Sequence, residues 1–161
     1  SCGLCLLHDY PGILEIPQAK KIAENTYDLH EYICGLIDDG YVRPQFAAVQ
    51  RKIAYHIPCH LRALGIGYPA AKIMDMIPGI QYEIFDDTCC GLNGSYGFKK
   101  TNEATAVALG QRAVSLIRKS DAENIMADCG SCRMQLGGLS GLEALDPAEI
   151  ICESLGITAG K

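Results

Sequence analysis

Between Lys52 and Gly156 the hydrophobic period switches repeatedly between that of a strand and that of a helix, and this alternation restricts the fold more than any other feature. "KIAYHI" (Lys52 to Ile57) is rich in strand-forming residues and stops at Pro58, whereas "PAAKIMDMI" (Pro69 to Ile77) opens with a proline suited to a first helical turn and closes before Pro78. "IQYEIF" (Ile80 to Phe85) alternates as a strand does. A long helix is predicted from about Glu103, with Asn102 as its cap and Val107, Val114 and Ile117 on one face. "NIMAD" (Asn124 to Asp128) is the third strand. "DPAEIICESLG" is the clearest helix: Asp146 caps it, Pro147 takes the first position, Glu149 completes a capping box and Gly156 ends it. Such a pattern predicts an α/β fold, βαβαβα, with a parallel sheet, flanking helices and right-handed crossovers.

In a sheet of this kind the loops leaving the carboxyl ends of the strands share one edge, where ligands bind. Cys59 follows the first predicted strand, Cys89 and Cys90 the second, and Cys129 and Cys132 the third. Five thiols far apart in sequence are therefore expected at one edge. The middle loop, "DDTCCGLNGSYGFKK" (Asp86 to Lys100), sets Cys89 and Cys90 against Gly91, Gly94 and Gly97. Simpler readings of it are two buried cysteines in contact, a strained vicinal disulfide, or a phosphate-cradling loop. The last fails on chemistry, since a P-loop ends in Gly-Lys-Ser/Thr and here Phe98 precedes Lys99 and Lys100.

Composition narrows the thiols' role. The chain has 161 residues, enough for one buried domain or a domain plus an appendage. With 48% hydrophobic residues and no run near the ~18 apolar residues of a membrane span, it is expected to be soluble, with any membrane association coming through a partner or surface. Fourteen Lys and Arg against nineteen Asp and Glu give a net charge of −5, which argues against nucleic-acid binding. No charged-then-apolar leader follows Ser1, so the thiols are expected to be cytoplasmic and reduced. Nine cysteines cannot all pair within one chain, and their irregular spacing favours metal or redox chemistry over a disulfide scaffold.

An internal repeat sets the domain organisation. "SCGLC" (Ser1 to Cys5) is echoed by "DCGSC" (Asp128 to Cys132), and each is followed by a helix with one cysteine, "YICGLID" with Cys34 and "IICESLG" with Cys152. Residues 1–48 then read as the closing CxxC and helices of a preceding unit plus a linker, "DDGYVRPQF" (Asp38 to Phe46), and residues 49–161 as one complete unit. Cys2 and Cys5 would be a partial site whose partner thiols lie upstream, the chain being a fragment.

Thiolates are soft ligands for zinc, Cu(I) and iron–sulfur clusters. Structural zinc is satisfied by four ligands, so a fifth cysteine is surplus for it. Adjacent cysteines such as Cys89 and Cys90 aim differently and suit the several corners of a cluster. Gly91 and Gly94 let backbone N–H groups approach sulfur, and such bonds tune cluster potential. Lys99, Lys100 and Arg133 either offset the cluster's negative charge or form a solvated basic surface. His56 and His60 flank Cys59; hydrogen bonding to a neighbour is the commoner role for such residues than ligation. Cys34 and Cys152 read as buried small hydrophobes, and His8, His30 and Met134 give no usable signal.

The pattern of Cys59, 29 residues, Cys89-Cys90-Gly91, 37 residues, then Cys129-x-x-Cys132 resembles the cysteine-rich CCG family. That family includes CCG-bearing subunits of heterodisulfide reductase and of anaerobic glycerol-3-phosphate dehydrogenase, and iron–sulfur subunits of glycolate- and lactate-oxidising enzymes. "CCGLNGSYGFKK" and "IPGIQYEIFD" look most like the glycerol-3-phosphate dehydrogenase branch. The resemblance implies a 4Fe-4S cluster, noncubane in some relatives, on Cys59, Cys89, Cys90, Cys129 and Cys132, although some single CCG domains hold zinc. It further implies an electron-transfer subunit that relays electrons from flavin-containing dehydrogenase subunits, here oxidising glycerol 3-phosphate, towards membrane quinone at the cytoplasmic face. The fragment alone is not expected to be catalytic. The alternatives are a zinc-stabilised interaction module and a thiol–disulfide reductase working through Cys89 and Cys90.

Overall fold

The computed structural model describes residues 2–157. Four strands, β1 (Arg51–His56), β2 (Ile80–Phe85), β3 (Asn124–Met126) and β4 (Glu143–Leu145), form one sheet in the order β2-β1-β3-β4. Every pairing is parallel, with Ile53 opposite Tyr82 and Asn124, and Asn124 opposite Glu143. The α/β architecture expected from the alternating pattern is present.

Helices cover both faces of this sheet. Between β1 and β2 lie α5 (Cys59–Leu64) and α6 (Pro69–Met74). Between β2 and β3 lies α7 (Glu103–Ile117), between β3 and β4 lies α8 (Gly130–Ser140), and α9 (Pro147–Ser154) closes the domain. The pleat sends alternate residues of β1 to opposite faces. Ile53, Tyr55 and Ile57 join Ile73, Met74 and Ile150 in one core under α6 and α9. Ala54 joins Val114, Ile117, Ile125 and Leu136 in a second core under α7 and α8. Burying each large aliphatic side chain stabilises by about 1.5–3 kcal/mol, so the two cores, rather than any surface pair, carry the fold.

Three expectations change in detail. A fourth strand, β4, extends the βαβαβα pattern; it is three residues long and only Leu145 is fully buried, so it has no readable alternation. Asn102 makes no side-chain cap on α7, because its amide instead donates to Tyr96 O at 3.0 Å and holds the preceding loop. The buried stripe of α7 is Ala106, Gly110, Ala113, Val114 and Ile117, with Val107 turned outward at 37% exposure. Asp146, by contrast, caps α9 through a reciprocal box with Glu149, and Gly156 follows with φ +68°.

The N-terminal stretch is helical. α1 (Cys2–Leu4) runs through a π-helical segment (Cys5–Asp9) into α2 (Tyr10–Leu14), followed by α3 (Pro17–Glu24) and α4 (Leu29–Asp38). Pro11 offers no N–H and its ring crowds the carbonyl four residues back, and just before it Tyr10 N–H reaches the Cys5 carbonyl, the wider π spacing. Asp28 caps α4 through a box with Glu31, the same device that opens α9. α4 docks on α6: buried Cys34 donates its thiol to Pro69 O at 3.4 Å, and Lys72 pairs with Asp38 at 2.6 Å. Residues 41–50 cross irregularly from α4 to β1, anchored by Ala47 N–H on Ser154 O and Val49 N–H on Pro78 O.

Candidate metal centre

Sheet order determines where a site forms. From β1 the chain moves outward to β2, then returns past β1 to β3 on the other side, so the connections after β1 and β3 diverge and leave a crevice at their carboxyl ends. Cys59 opens α5 on the β1 side of that crevice, with Pro58 fixing the chain at φ −65°. Cys129 occupies the N-cap position of α8 on the β3 side, and Cys132 lies in its first turn. Cys89 and Cys90 arrive on the loop after β2.

The crevice is a cavity of about 330 Å³ lined by Cys59, Cys90, Cys129 and Cys132, with His60, Gly94 and Phe98 at its sides. The Cys132 thiol donates to Cys90 Sγ at 3.2 Å. Four of the five expected thiols thus meet around one space. Cys89 is not among the lining residues; its sulfur accepts the Gly91 N–H at 3.3 Å, and its charge lies near enough to Cys59 to act on that thiol. All nine cysteines are free, so the vicinal pair is not a disulfide.

The thiols are electrostatically unequal. The Cys132 thiol shares its proton with Cys129, and although burial opposes it, the first-turn amides of Cys132 and Ser131 add to the effect and hold Cys129 down to about 4. Cys90 is held down to about 7, first by Cys132, against burial, and then by the Leu92 and Asn93 amides. Cys132 is pushed up because its single proton is held next to the Cys129 and Cys90 sulfurs and because it is buried. Burial, then the charges of Cys89 and Cys90, push Cys59 up. Metal binding replaces such shared protons, so a bound cation resolves a conflict that four crowded thiols otherwise bear.

Soft donors at several corners of one cavity, with backbone N–H groups turned to sulfur, fit an iron–sulfur cluster by the chemistry of the set. A smaller subset also converges: ligand atoms of His56, Cys90 and Cys132 lie within 4.8 Å of one another. His56 is 1% exposed, with Nδ1 3.3 Å from Thr88 Oγ1. Burial, reinforced by Arg62, holds it down to about 4, so the ring is neutral. His60 Nδ1 lies 3.9 Å from Cys59 Sγ.

Of the basic residues, Arg133 is committed elsewhere: its guanidinium bonds Ala127 O and Asp146, tying α8 to the cap of α9. Lys99 and Lys100 are exposed and outside the cavity lining. The cation that does shape the site is Arg62 on α5, which grips Asp86 O and Thr88 O and so fixes the approach to Cys89. Nothing in its local sequence distinguishes Arg62. The same holds for buried His30 on α4, whose Nδ1 is 3.2 Å from Asp128 Oδ1 while Tyr55 donates to Asp128 Oδ2 at 2.7 Å. The residue before Cys129 is therefore held from both sides. Cys2 is exposed and Cys5 half-buried, neither lining the cavity, whereas Cys34 is buried and Cys152 half-buried.

A family model described as a cysteine-rich domain, CCG, matches residues 53–137, which span β1 to α8 and contain all five thiols. The chain belongs to the CCG cysteine-rich domain family. Among curated proteins it is similar to one subunit of the anaerobic glycerol-3-phosphate dehydrogenase of Escherichia coli K12, at 28% identity over 96% of this chain and 39% of that protein. It is also similar to one subunit of the fumarate reductase (CoM/CoB) of Methanothermobacter marburgensis, at 28% identity over 93% of this chain and 29% of that protein. A third relative is an uncharacterized iron–sulfur protein of Methanococcus maripaludis, 28% identical over 84% of this chain and 25% of that protein. The chain thus spans well under half the length of these relatives. Among the described residues no helix is long and apolar enough to cross a membrane.

Proposed function

We propose that this CCG domain holds a 4Fe-4S cluster on Cys59, Cys89, Cys90, Cys129 and Cys132, and that it serves in an iron–sulfur electron-transfer subunit. The convergence of four free thiols on one cavity at the carboxyl edge of the sheet carries this reading. A cluster bound there supplies one-electron storage and transfer. The protein's own residues do the rest: the α8 N-terminus and Gly91 direct N–H groups at sulfur, and Leu92 and Phe98 line the cavity with apolar surface. Electrons would come from flavin-containing dehydrogenase subunits oxidising glycerol 3-phosphate and pass towards membrane quinone at the cytoplasmic face. The glycerol-3-phosphate dehydrogenase relative supports that donor.

Residues 1–48 are proposed as the closing part of a second CCG unit. Cys5 follows Cys2 at the spacing by which Cys132 follows Cys129, and capping boxes at Asp28 and Asp146 start the cysteine-bearing helices α4 and α9.

A second reading, a single structural zinc ion, is favoured by the compact trio of His56, Cys90 and Cys132. Anaerobic reconstitution separates the two. The cluster reading expects a brown protein with about four iron and comparable sulfide per chain; stoichiometric zinc that iron and sulfide cannot displace would reject it.

A further inference from the structure

His56 is a buried polar ring that the five-thiol site does not use. It ends β1 on the same side of the strand as Ala54, facing the core under α7 and α8, to which Cys90 and Cys132 also belong. One ring nitrogen lies within 4.8 Å of both sulfurs, and Nδ1 is 3.3 Å from the Thr88 hydroxyl. A buried polar ring keeps its place only when its hydrogen-bonding capacity is met. A neutral imidazole has one N–H donor and one acceptor nitrogen, whereas a hydroxyl can play either part.

We propose that His56 is a positioning residue that gives its single N–H to a thiolate of the cluster-loaded site, at Cys90 or Cys132. The inference rests on the iron–sulfur reading above. When the thiols lose their protons to a metal, their sulfurs become acceptors only. An imidazole lone pair facing an anionic sulfur is repulsive, and an N–H facing it is attractive, so loading selects the tautomer that donates. The Thr88 hydroxyl, 3.3 Å from Nδ1, can donate or accept and so serves Nδ1 in either tautomer. Direct ligation by His56 is disfavoured because the thiol set is already complete without it. An N–H···S bond withdraws charge from the ligand sulfur and stabilises the reduced, more negative state, which raises the potential.

The test uses the whole chain reconstituted anaerobically with iron and sulfide. His56→Leu should retain about four iron. Its reduction equilibrium should fall about tenfold, about 59 mV for a one-electron couple, while His56→Gln, which keeps an N–H, stays within about threefold of the parent. Pulsed EPR on the reduced, ¹⁵N-histidine-labelled His60→Leu protein reads the same contact without disturbing His56. A weak nitrogen coupling supports the hydrogen bond; a strong one shows ligation and overturns the proposal, as does no coupling. Unchanged potential in a folded, iron-replete His56→Leu protein overturns it as well. If His56→Leu fails to fold, the labelled protein decides alone. Failure of the parent chain to take up iron defeats the cluster reading itself, an outcome separate from all of these.

Discussion

Replacing Gly91 by Ala should damage the fold more than any other single methyl added to the Asp86–Lys100 loop, and the reason lies in packing as much as in metal chemistry. Gly91 has φ +94°, where an L side chain is strained by about 1–2 kcal/mol. A Cβ there would also sit 2.0 Å from the carbonyl oxygen of Ala106 and 2.9 Å from its carbon, both backbone atoms of α7. Helix backbone cannot rotate aside as a side-chain tip can, so α7 or the loop must shift, adding the about 1–3 kcal/mol typical of overpacking. Together the cost is about 2–5 kcal/mol, a large share of the about 5–15 kcal/mol that stabilises an ordinary domain. Two neighbours separate the causes. At Gly94, φ is +62° but no atom lies within 4 Å, so alanine should cost only the about 1–2 kcal/mol of backbone strain. At Gly97 a Cβ would meet Leu92 Cα at 2.7 Å, so alanine there should show the packing cost of about 1–3 kcal/mol. Urea unfolding of the metal-free chain followed by circular dichroism measures all three at unchanged m. If Gly91→Ala proves no more destabilising than Gly94→Ala, the close approach of α7 to the loop is wrong.

Other outcomes test the charges, the ligands and the relay. Although burial lowers the His30 pKa, Asp128 and then Asp28 and Asp146 more than offset it, so the group is raised above its ordinary 6.5. A raised folded value means that stability is fully present below about 6.5 and is lost as pH rises through the folded midpoint. NMR titration should place His30 above 6.5, and a His30→Gln chain should lose less stability as pH rises above 6.5; a midpoint below 6.5 would refute the Asp128 pairing. Serine at Cys59, Cys90 or Cys129 should abolish or alter cluster absorption and EPR, whereas the Cys2/Cys5 double serine variant should leave both intact; equal iron loss in that double variant would overturn the division at residue 48. In the full-length subunit, alanine at Cys89 and Cys90 should spare glycerol 3-phosphate:dye activity and eliminate quinone reduction, with circular dichroism guarding against unfolding on metal loss; undiminished quinone reduction by a folded, cluster-free variant would reject the relay.

The elements legible in the sequence are those with a local signature. β1, β2 and β3 carry strand formers between breakers, and α9 carries its whole start signal in Asp146, Pro147 and Glu149. α8 has no such signature: Gly130, Gly137 and Gly138 depress its helix propensity. The structure supplies the reason for one of them, since a Cβ at Gly137 would come within 3.1 Å of Ala144 Cβ on β4. That glycine lets α8 and β4 approach closely, whereas β4 itself was illegible because three residues with only Leu145 buried leave no alternation to read. At the site, the thiols were legible because strand ends determine where loops emerge. Arg62 and His30 were not, because their partners are a carbonyl 24 residues away and a carboxylate on another element.

These unread contacts bear on how the site is held. Asp128 sits between β3 and Cys129, receiving Tyr55 from β1 and facing His30 from α4. Asp86 and Thr88, just before Cys89, are gripped by Arg62 from the helix that Cys59 opens. The loops before Cys89 and Cys129 are therefore tied to other elements, α5 for the first and β1 and α4 for the second, rather than to their own strands alone. A crowded set of thiols repels as it ionises, and only a scaffold tied across its strands can keep the set together before a metal offsets that repulsion. Through His30, α4 adds to that support a contact from outside the sheet, on the residue before Cys129.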